Sequence, residues 1–439
     1  MSCRPSKGDR TRPSPRLPPS PNNERRDGAR NKDGALVTTP AGDGLGFLFS
    51  PASTYPTPTA YVVGRDGAVL HTWSHSYGQP SPHDDPPSYL RGWNHIEMDL
   101  AGNLFAIVPL RALLKLTPDS QLDWACDIAA HHDLAITSDG TILALTEAPR
   151  RVDTGQLAHV VLDNLITSVT PDGVVTAELS LYDVLRTNAG LRQLIDVAVQ
   201  RHSTAYRLRG WPTRDDAVAD TTVHETLAIL RTGHHDGERR RALKLLRALP
   251  GSPCDIVHTN SLEVLPGHPN DLWEPGDVLV CMRETSTIAV ISLAAATVKW
   301  WWGPGELSGP HQPTLLPDGK ILVFDNGRDH QRTRLLVVDP ATRRVTWTWA
   351  ADPPDSFYCP LAGGCDPLPS GNILVTDSTA GAAFELTPNG RIVWDLNLPV
   401  DVYGAGRGRV SIYRMSAVPT AALPTVTTPS ADPAAEVDA

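Results

Sequence analysis

A strand, a tight turn rich in Pro, Asp, Asn and Gly, and a second strand recur along this 439-residue chain, and this repetition limits the fold more than any other feature. The copies HHDLAITSDGTILALT from His131, HQPTLLPDGKILVFDNG from His311 and GGCDPLPSGNILVTDS from Gly363 share one layout. HIEMDLAGNLFAIVP from His95 and HTNSLEVLPG…GDVLVCMRE from His258 follow it, the latter with a longer hairpin loop. After each come a third strand and a fourth that ends in Trp or an apolar substitute: QLDWACDI, VVTAELSL, ATVKWWW, RVTWTWA and RIVWDLNL. A four-stranded unit repeating about every 50 residues predicts propeller blades, because one blade cannot bury both of its faces alone. GFLFS, TAYVVGRDG and AVLHTWSH supply three outer strands near the start without an inner one, and RVSIYRMSAVP is a spare strand near the end. Joining them completes a sixth blade and removes the exposed edge. The expected fold is therefore all-β, a six-bladed β-propeller closed by N- and C-terminal strands.

One region breaks the repeat. LRQLIDVAVQRH, HETLAILRTGHH and ERRRALKLLRALPG space their apolar residues by three and four, which predicts a helical insertion over 182–250. It joins the outer strand of one blade to the inner strand of the next, a connection that opens onto one face of the disc and suggests a lid. The propeller is expected over 41–420, with disordered tails over 1–40 and 421–439. Residues 1–32 carry nine Lys or Arg against three Asp or Glu; the net charge of -10 leaves about -16 for the rest. A body this acidic is a poor non-specific binder of nucleic acid. No stretch reaches the ~18 apolar residues of a membrane span, and the start lacks the apolar run of a secretory signal, so the expectation is a cytoplasmic protein. The six Cys form no CxxC pair, which argues against structural zinc.

Propeller geometry turns positions into places. Strand one of a blade begins at the face where strand two ends, so those residues meet around the funnel mouth. Eight residues before the hairpin glycines Gly140 and Gly319 stand His132 and His311; the matching places before Gly102 and Gly371 hold Asn94 and Gly363. His258 lies nine before Gly267, Arg283 ends the strand beside it, and Asn326 ends the strand beside His311. Register alone separates His132 from its neighbour His131. Three imidazoles could hold a metal, but a fixed guanidinium disfavours a cation and favours an oxyanion. No acidic pair is expected at the corresponding inner-strand positions, which weakens glycosidase and calcium-dependent readings.

The succession HHD, HTNS, MRE and WWGPGELSGPHQPTLLPDGKILVFDNG resembles the arylsulfotransferase family, the aryl-sulfate sulfotransferases that use no nucleotide sulfate donor. The resemblance spans roughly residues 90–400 apart from the insertion. It implies a six-bladed propeller and ping-pong transfer through a sulfurylated histidine. The nucleophile position matches His311, the supporting cationic positions match His132, His258 and Arg283, and Asn260 and Asn326 would orient the substrate or an imidazole. No metal or other cofactor is implied, and the partners are a small-molecule phenolic sulfate donor and a phenolic acceptor; a homodimer is compatible. The rival classes are a non-catalytic propeller scaffold and a metal-dependent propeller enzyme using the same histidines.

Overall fold

The computed structural model describes residues 43–79, 91–153, 158–208, 255–398 and 411–424. Within them six four-stranded antiparallel sheets form six blades. Blade 1 contains β1 (Leu45–Pro51), β2 (Thr59–Val63) and β3 (Val69–Ser74), and blade 2 contains β4 (Ile96–Met98), β5 (Leu104–Val108), β6 (Ala112–Leu116) and β7 (Leu122–Cys126). Blade 3 follows with β8 (Ala130–Ile136), β9 (Ile142–Asp153), β10 (Ala158–Val169) and β11 (Val175–Ser180). Blade 4 has β12 (Thr259–Val264), β13 (Val278–Met282), β14 (Thr287–Ser292) and β15 (Thr297–Trp302). Blade 5 has β16 (His311–Leu315), β17 (Ile321–Asp325), β18 (Arg334–Asp339) and β19 (Arg344–Ala350). Blade 6 has β20 (Gly364–Pro367), β21 (Ile373–Asp377), β22 (Ala382–Leu386) and β23 (Ile392–Asn397). The spare strand, β24 (Ile412–Pro419), pairs antiparallel with β1 from Leu45↔Pro419 to Pro51↔Ile412 and becomes the inner strand of blade 1. The ring thus closes through both ends of the described chain, as the repeat count requires.

The core lies between blades rather than within them, because successive side chains on a strand point to opposite faces. On β17, Leu322 and Phe324 join the cluster shared with blade 6, while Ile321 and Val323 join the one shared with blade 4. Six such clusters fill the six junctions.

The predicted helical region is represented by α1 (Leu181–Arg186) and α2 (Ala189–Leu208). Ser180 caps α1 by accepting from the Asp183 N–H, which ends β11 and starts the helix in one step. Leu181, Val184 and Leu185 of α1 and Leu191, Ile195 and Val199 of α2 are buried in the junction of blades 3 and 4. These two helices pack into the flank of the ring; the rest of the insertion, on which the expected lid also rests, lies outside the described residues. HETLAILRTGHH and ERRRALKLLRALPG lie outside the described residues, as do the expected tail 1–40 and residues 425–439. Among the described residues no helix is long and apolar enough to cross a membrane.

Candidate active site

The histidines stand where inner strands are deformed. Pairing slips between Ala130 and Leu134 on β8, between Thr259 and Ser261 on β12, and between His311 and Thr314 on β16. His132 and His258 themselves take left-handed backbones, with φ of 59° and 50°. Such bulges and positive φ values are unfavourable for a non-glycine residue and re-aim its side chain. The result is a cluster: the His132 and His258 rings lie 4.5 Å apart edge to face, and the charges of Arg283, His258 and His311 all act on His132.

His311 is held in one tautomer. Its Nδ1 lies 2.7 Å from Asn326 Oδ1, while Asn326 Nδ2 donates to the carbonyls of Cys359 (2.8 Å) and Ala362 (2.9 Å). Those two carbonyls fix the amide so that its oxygen can only accept, which makes His311 Nδ1 the donor and leaves a lone pair on Nε2. Burial pushes the His311 imidazole down to about 3, helped by the charges of Arg283 and His258 and opposed by the Asn326 bond, so the ring is neutral at physiological pH. Asn326 is completely buried, with both its oxygen and its nitrogen committed. Of the two roles open to it, orienting an imidazole is the one its contacts serve; it has no group left for a substrate.

His258 Nδ1 pairs with Asp255, which also accepts the His258 N–H at 2.9 Å. Burial alone would raise the Asp255 carboxyl, yet the His258 and His131 charges and its hydrogen bonds hold it below the usual range. This fixes His258 as well, with Nε2 turned away from its anchor. The register that favoured His132 over His131 agrees with their exposure: His131 is buried and His132 is partly open. Their Nδ1 atoms lie 2.6 Å apart, so His131 anchors His132 from behind. Burial lowers both, His131 to about 4, and the neighbouring histidines add to it at His132.

Arg283 donates its N–H to the His258 carbonyl at 3.1 Å, which places it beside that strand start as expected. Its Nε and Nη2 are held by Glu284 Oε1 at 2.9 and 2.6 Å, and Arg328 Nη1 reaches the same oxygen at 3.1 Å. Nη1 is the guanidinium nitrogen these bonds leave free. Asn260 is fully buried; its Nδ2 donates to the carbonyl of Pro310, one residue before His311, at 2.9 Å, and its Oδ1 has no partner among the described residues. It braces the strand of His311 from behind. Tyr413 of β24 donates its hydroxyl to the Asn260 carbonyl at 3.0 Å, on the strand three blades away, so its ring crosses the axis beside His132.

Sequence reasoning missed Asp255, Glu284 and Tyr413, although MRE contains Glu284 and Asp255 stands three residues before His258. It also missed a second polar layer. The expectation of no acidic pair concerned the strand starts; further along the inner strands Glu97, Asp133, Glu263 and Asp366 line the axial channel on β4, β8, β12 and β20. Arg414 of β24 faces them, with Nη2 3.2 Å from Asp133 Oδ2, and His95 Nε2 lies 2.9 Å from Glu97 and 3.2 Å from Asp133. Burial pushes Glu263 up to about 8 and Asp366 and Glu97 up to about 7. These carboxylates stand four to seven residues before the hairpin glycines, further along the strands than the starts from which the site was counted. No group of three or more His, Cys, Asp or Glu suited to a metal ion occurs among the described residues.

Comparison with known proteins gives a family. A family model described as Arylsulfotransferase (ASST) matches residues 117–398. No curated protein matches the chain. Among solved structures, a protein of unknown function from Bacteroides caccae is 12% identical with a TM-score of 0.48, covering 85% of this chain and 98% of its own. A putative 6-phosphogluconolactonase from Bacteroides uniformis is 9% identical with a TM-score of 0.41, covering 89% and 87%. Likenesses this distant say nothing about the site. The family match spans the strands that carry His132, His258, Arg283 and His311, and on it the chain belongs to the arylsulfotransferase family.

Proposed function

We propose that this protein transfers a sulfuryl group from a phenolic sulfate ester to a phenolic acceptor through a sulfurylated His311. The observation that carries the reading is the Asn326 clamp, which leaves a neutral His311 Nε2 as a nucleophile with a defined direction. Nε2 attacks the donor's sulfur and the S–O bond to the aryl oxygen breaks. His258, paired with Asp255, supplies a proton to the departing phenolate, whose conjugate acid has a pKa near ~10. In the second half the same imidazole takes the acceptor phenol's proton, the phenol oxygen attacks sulfur, and the N–S bond breaks to restore the Nε2 lone pair. Arg283 Nη1 would meet charge on the sulfuryl oxygens in both steps. Donor and acceptor are small phenolic molecules, and the site residues need no metal for this chemistry.

The test is an aryl sulfate incubated with pure protein and chelator, with and without a second phenol. Parallel-line initial-rate patterns and their loss in His311→Asn support the reading. Binding without turnover would leave a scaffold, and turnover abolished by the chelator would leave a metal enzyme.

A further inference from the structure

Five of the six blade junctions share one device. An outer-strand ring N–H reaches the next blade's turn: Trp124 to the Pro171 carbonyl (2.8 Å), Trp300 to Pro340 (3.0 Å), Trp347 to Pro388 (3.1 Å) and Trp394 to Arg65 (2.8 Å). At the first junction His71 Nε2 lies 3.1 Å from the Pro118 carbonyl. Each of these rings sits at the same place, opposite the last residue before the register slip of strand three: Lys115↔Trp124, Val290↔Trp300, Val337↔Trp347, Glu385↔Trp394 and Val62↔His71. On blade 3 that place is Ser168↔Ala177, and alanine has nothing to donate. Among the described residues, the junction without a clasp joins blade 3, which bears His132, to blade 4, which bears His258 and Arg283.

The helices α1 and α2 occupy that junction. Their apolar residues share one cluster with Leu143, Leu145 and Val161 of blade 3 and with Val278, Val280 and Met282 of blade 4. Gly190 at the start of α2 lies so close to Trp301 of β15 that a Cβ there would be 2.7 Å from the ring. Arg150 ties α1 to blade 3 through Asp183 (2.6 Å) and Asp163 (3.0 Å). Ile256 and Val257, the residues between Asp255 and His258, belong to the same cluster, so the helices pack with the segment that aims the His258 ring.

We infer that the helix pair is a positioning wedge, which replaces the missing ring clasp and sets the separation of His132 and His258. Its catalytic consequence rests on the function proposed above. Core packing admits little slack, and small displacements of reacting groups are costly. A wedge held by apolar packing also differs in kind from a hydrogen-bonded clasp, since its thickness rather than one bond sets the spacing.

Gly190→Leu would push α2 off Trp301, and Leu191→Ala would thin the wedge without overpacking it. Because His258 is one of the charges that lower His132, separating the rings should move the His132 titration upward. NMR titration of the histidines reads this whether or not the protein turns over. The expected result for at least one variant is an upward His132 titration and a kcat about ten- to a hundred-fold lower with KM nearly unchanged. The control, His71→Ala at the junction of blades 1 and 2, should lose stability without either change. Wedge variants whose melting temperature falls while the His132 titration and kcat match the control would overturn the inference. A displaced titration in a protein that transfers no sulfuryl group would sink the proposed function and still support the wedge.

Discussion

The mouth and the axial channel are built on the same six inner strands, yet they solve the problem of buried charge in opposite ways. At the mouth, burial strips protons from His311 and His131, and neighbouring side chains fix which nitrogen keeps its lone pair. Along the channel, Glu263 and Asp366 are pushed up, so burial adds protons to carboxyls that outnumber their one guanidinium, Arg414. Both follow from the cost of keeping an unpaired charge out of water. The difference is in what is left over: a nucleophilic lone pair at the mouth, and a nearly neutral hydrogen-bonding hub below it. We therefore assign chemistry to the first and ring stability to the second.

Arg414→Met tests that division most severely. Removing the guanidinium leaves Asp133 buried without its partner, which should cost about 3–5 kcal/mol of stability. The fraction that remains folded should keep its kcat within about threefold, a spread of under ~1 kcal/mol in barrier. Urea unfolding and turnover of the same samples separate the two, and a large kcat loss at full stability would move Arg414 into the chemistry. Asn326→Ala addresses the mouth. Losing the anchor of His311 Nδ1 frees both tautomers, and kcat should fall about ten- to a hundred-fold, or about 1.4–2.7 kcal/mol, with a smaller change in donor KM. A fall in melting temperature with unchanged kcat would reduce Asn326 to a structural residue.

Arg283→Lys replaces a planar fork with a point charge and also loosens the Glu284 contact. Turnover should drop about tenfold, or about 1.4 kcal/mol; unchanged kinetics would remove Arg283 from the site. The smallest effect is in stability against pH. His95, His131 and His311 are lowered from 6.5, so the unfolded chain binds protons that the fold refuses, and stability falls as pH drops below about 6.5. Raised Glu263 and Asp366 act in reverse: their contribution is whole below ordinary carboxyl values and is lost as pH rises through about 7 and about 8. The two sets oppose each other between about 5 and 6.5, so the melting temperature should peak near neutrality, with a shallow limb on the acid side. Glu263→Gln should steepen the acid limb, where it removes part of the opposition to the histidines, and flatten the alkaline limb. A profile that rises steadily to pH 9 would contradict the hub.

The repeat made the six blades and their closure legible, because four short strands and a turn recur in a fixed order and the ends supply complementary halves. The site histidines were legible for the same reason: strand starts converge whatever the side chain, and only some of them carry histidine. What stayed hidden depends on local irregularity or on depth along the strand. The bulge at Ala130/Leu134 contains Asp133, and no periodicity announces a bulge; Glu263 stands in regular register opposite Leu279, further along its strand than the starts that were counted. Asn326 was found by position, but its role needed the carbonyls of Cys359 and Ala362, 33 and 36 residues away. The amphipathic spacing revealed α2 without showing that it fills a junction, since that depends on Ala177 standing where other blades place a ring.

The central claim is that His311 carries the sulfuryl group between two phenols. Wild-type protein mixed with an aryl sulfate alone, quenched and measured by intact-protein mass spectrometry, should gain one sulfuryl group that maps to the His311 peptide and disappears when a second phenol is added. His311→Asn should gain none. A wild-type protein that transfers at full rate through sequential kinetics, with no modified enzyme at any time after mixing, would contradict the account.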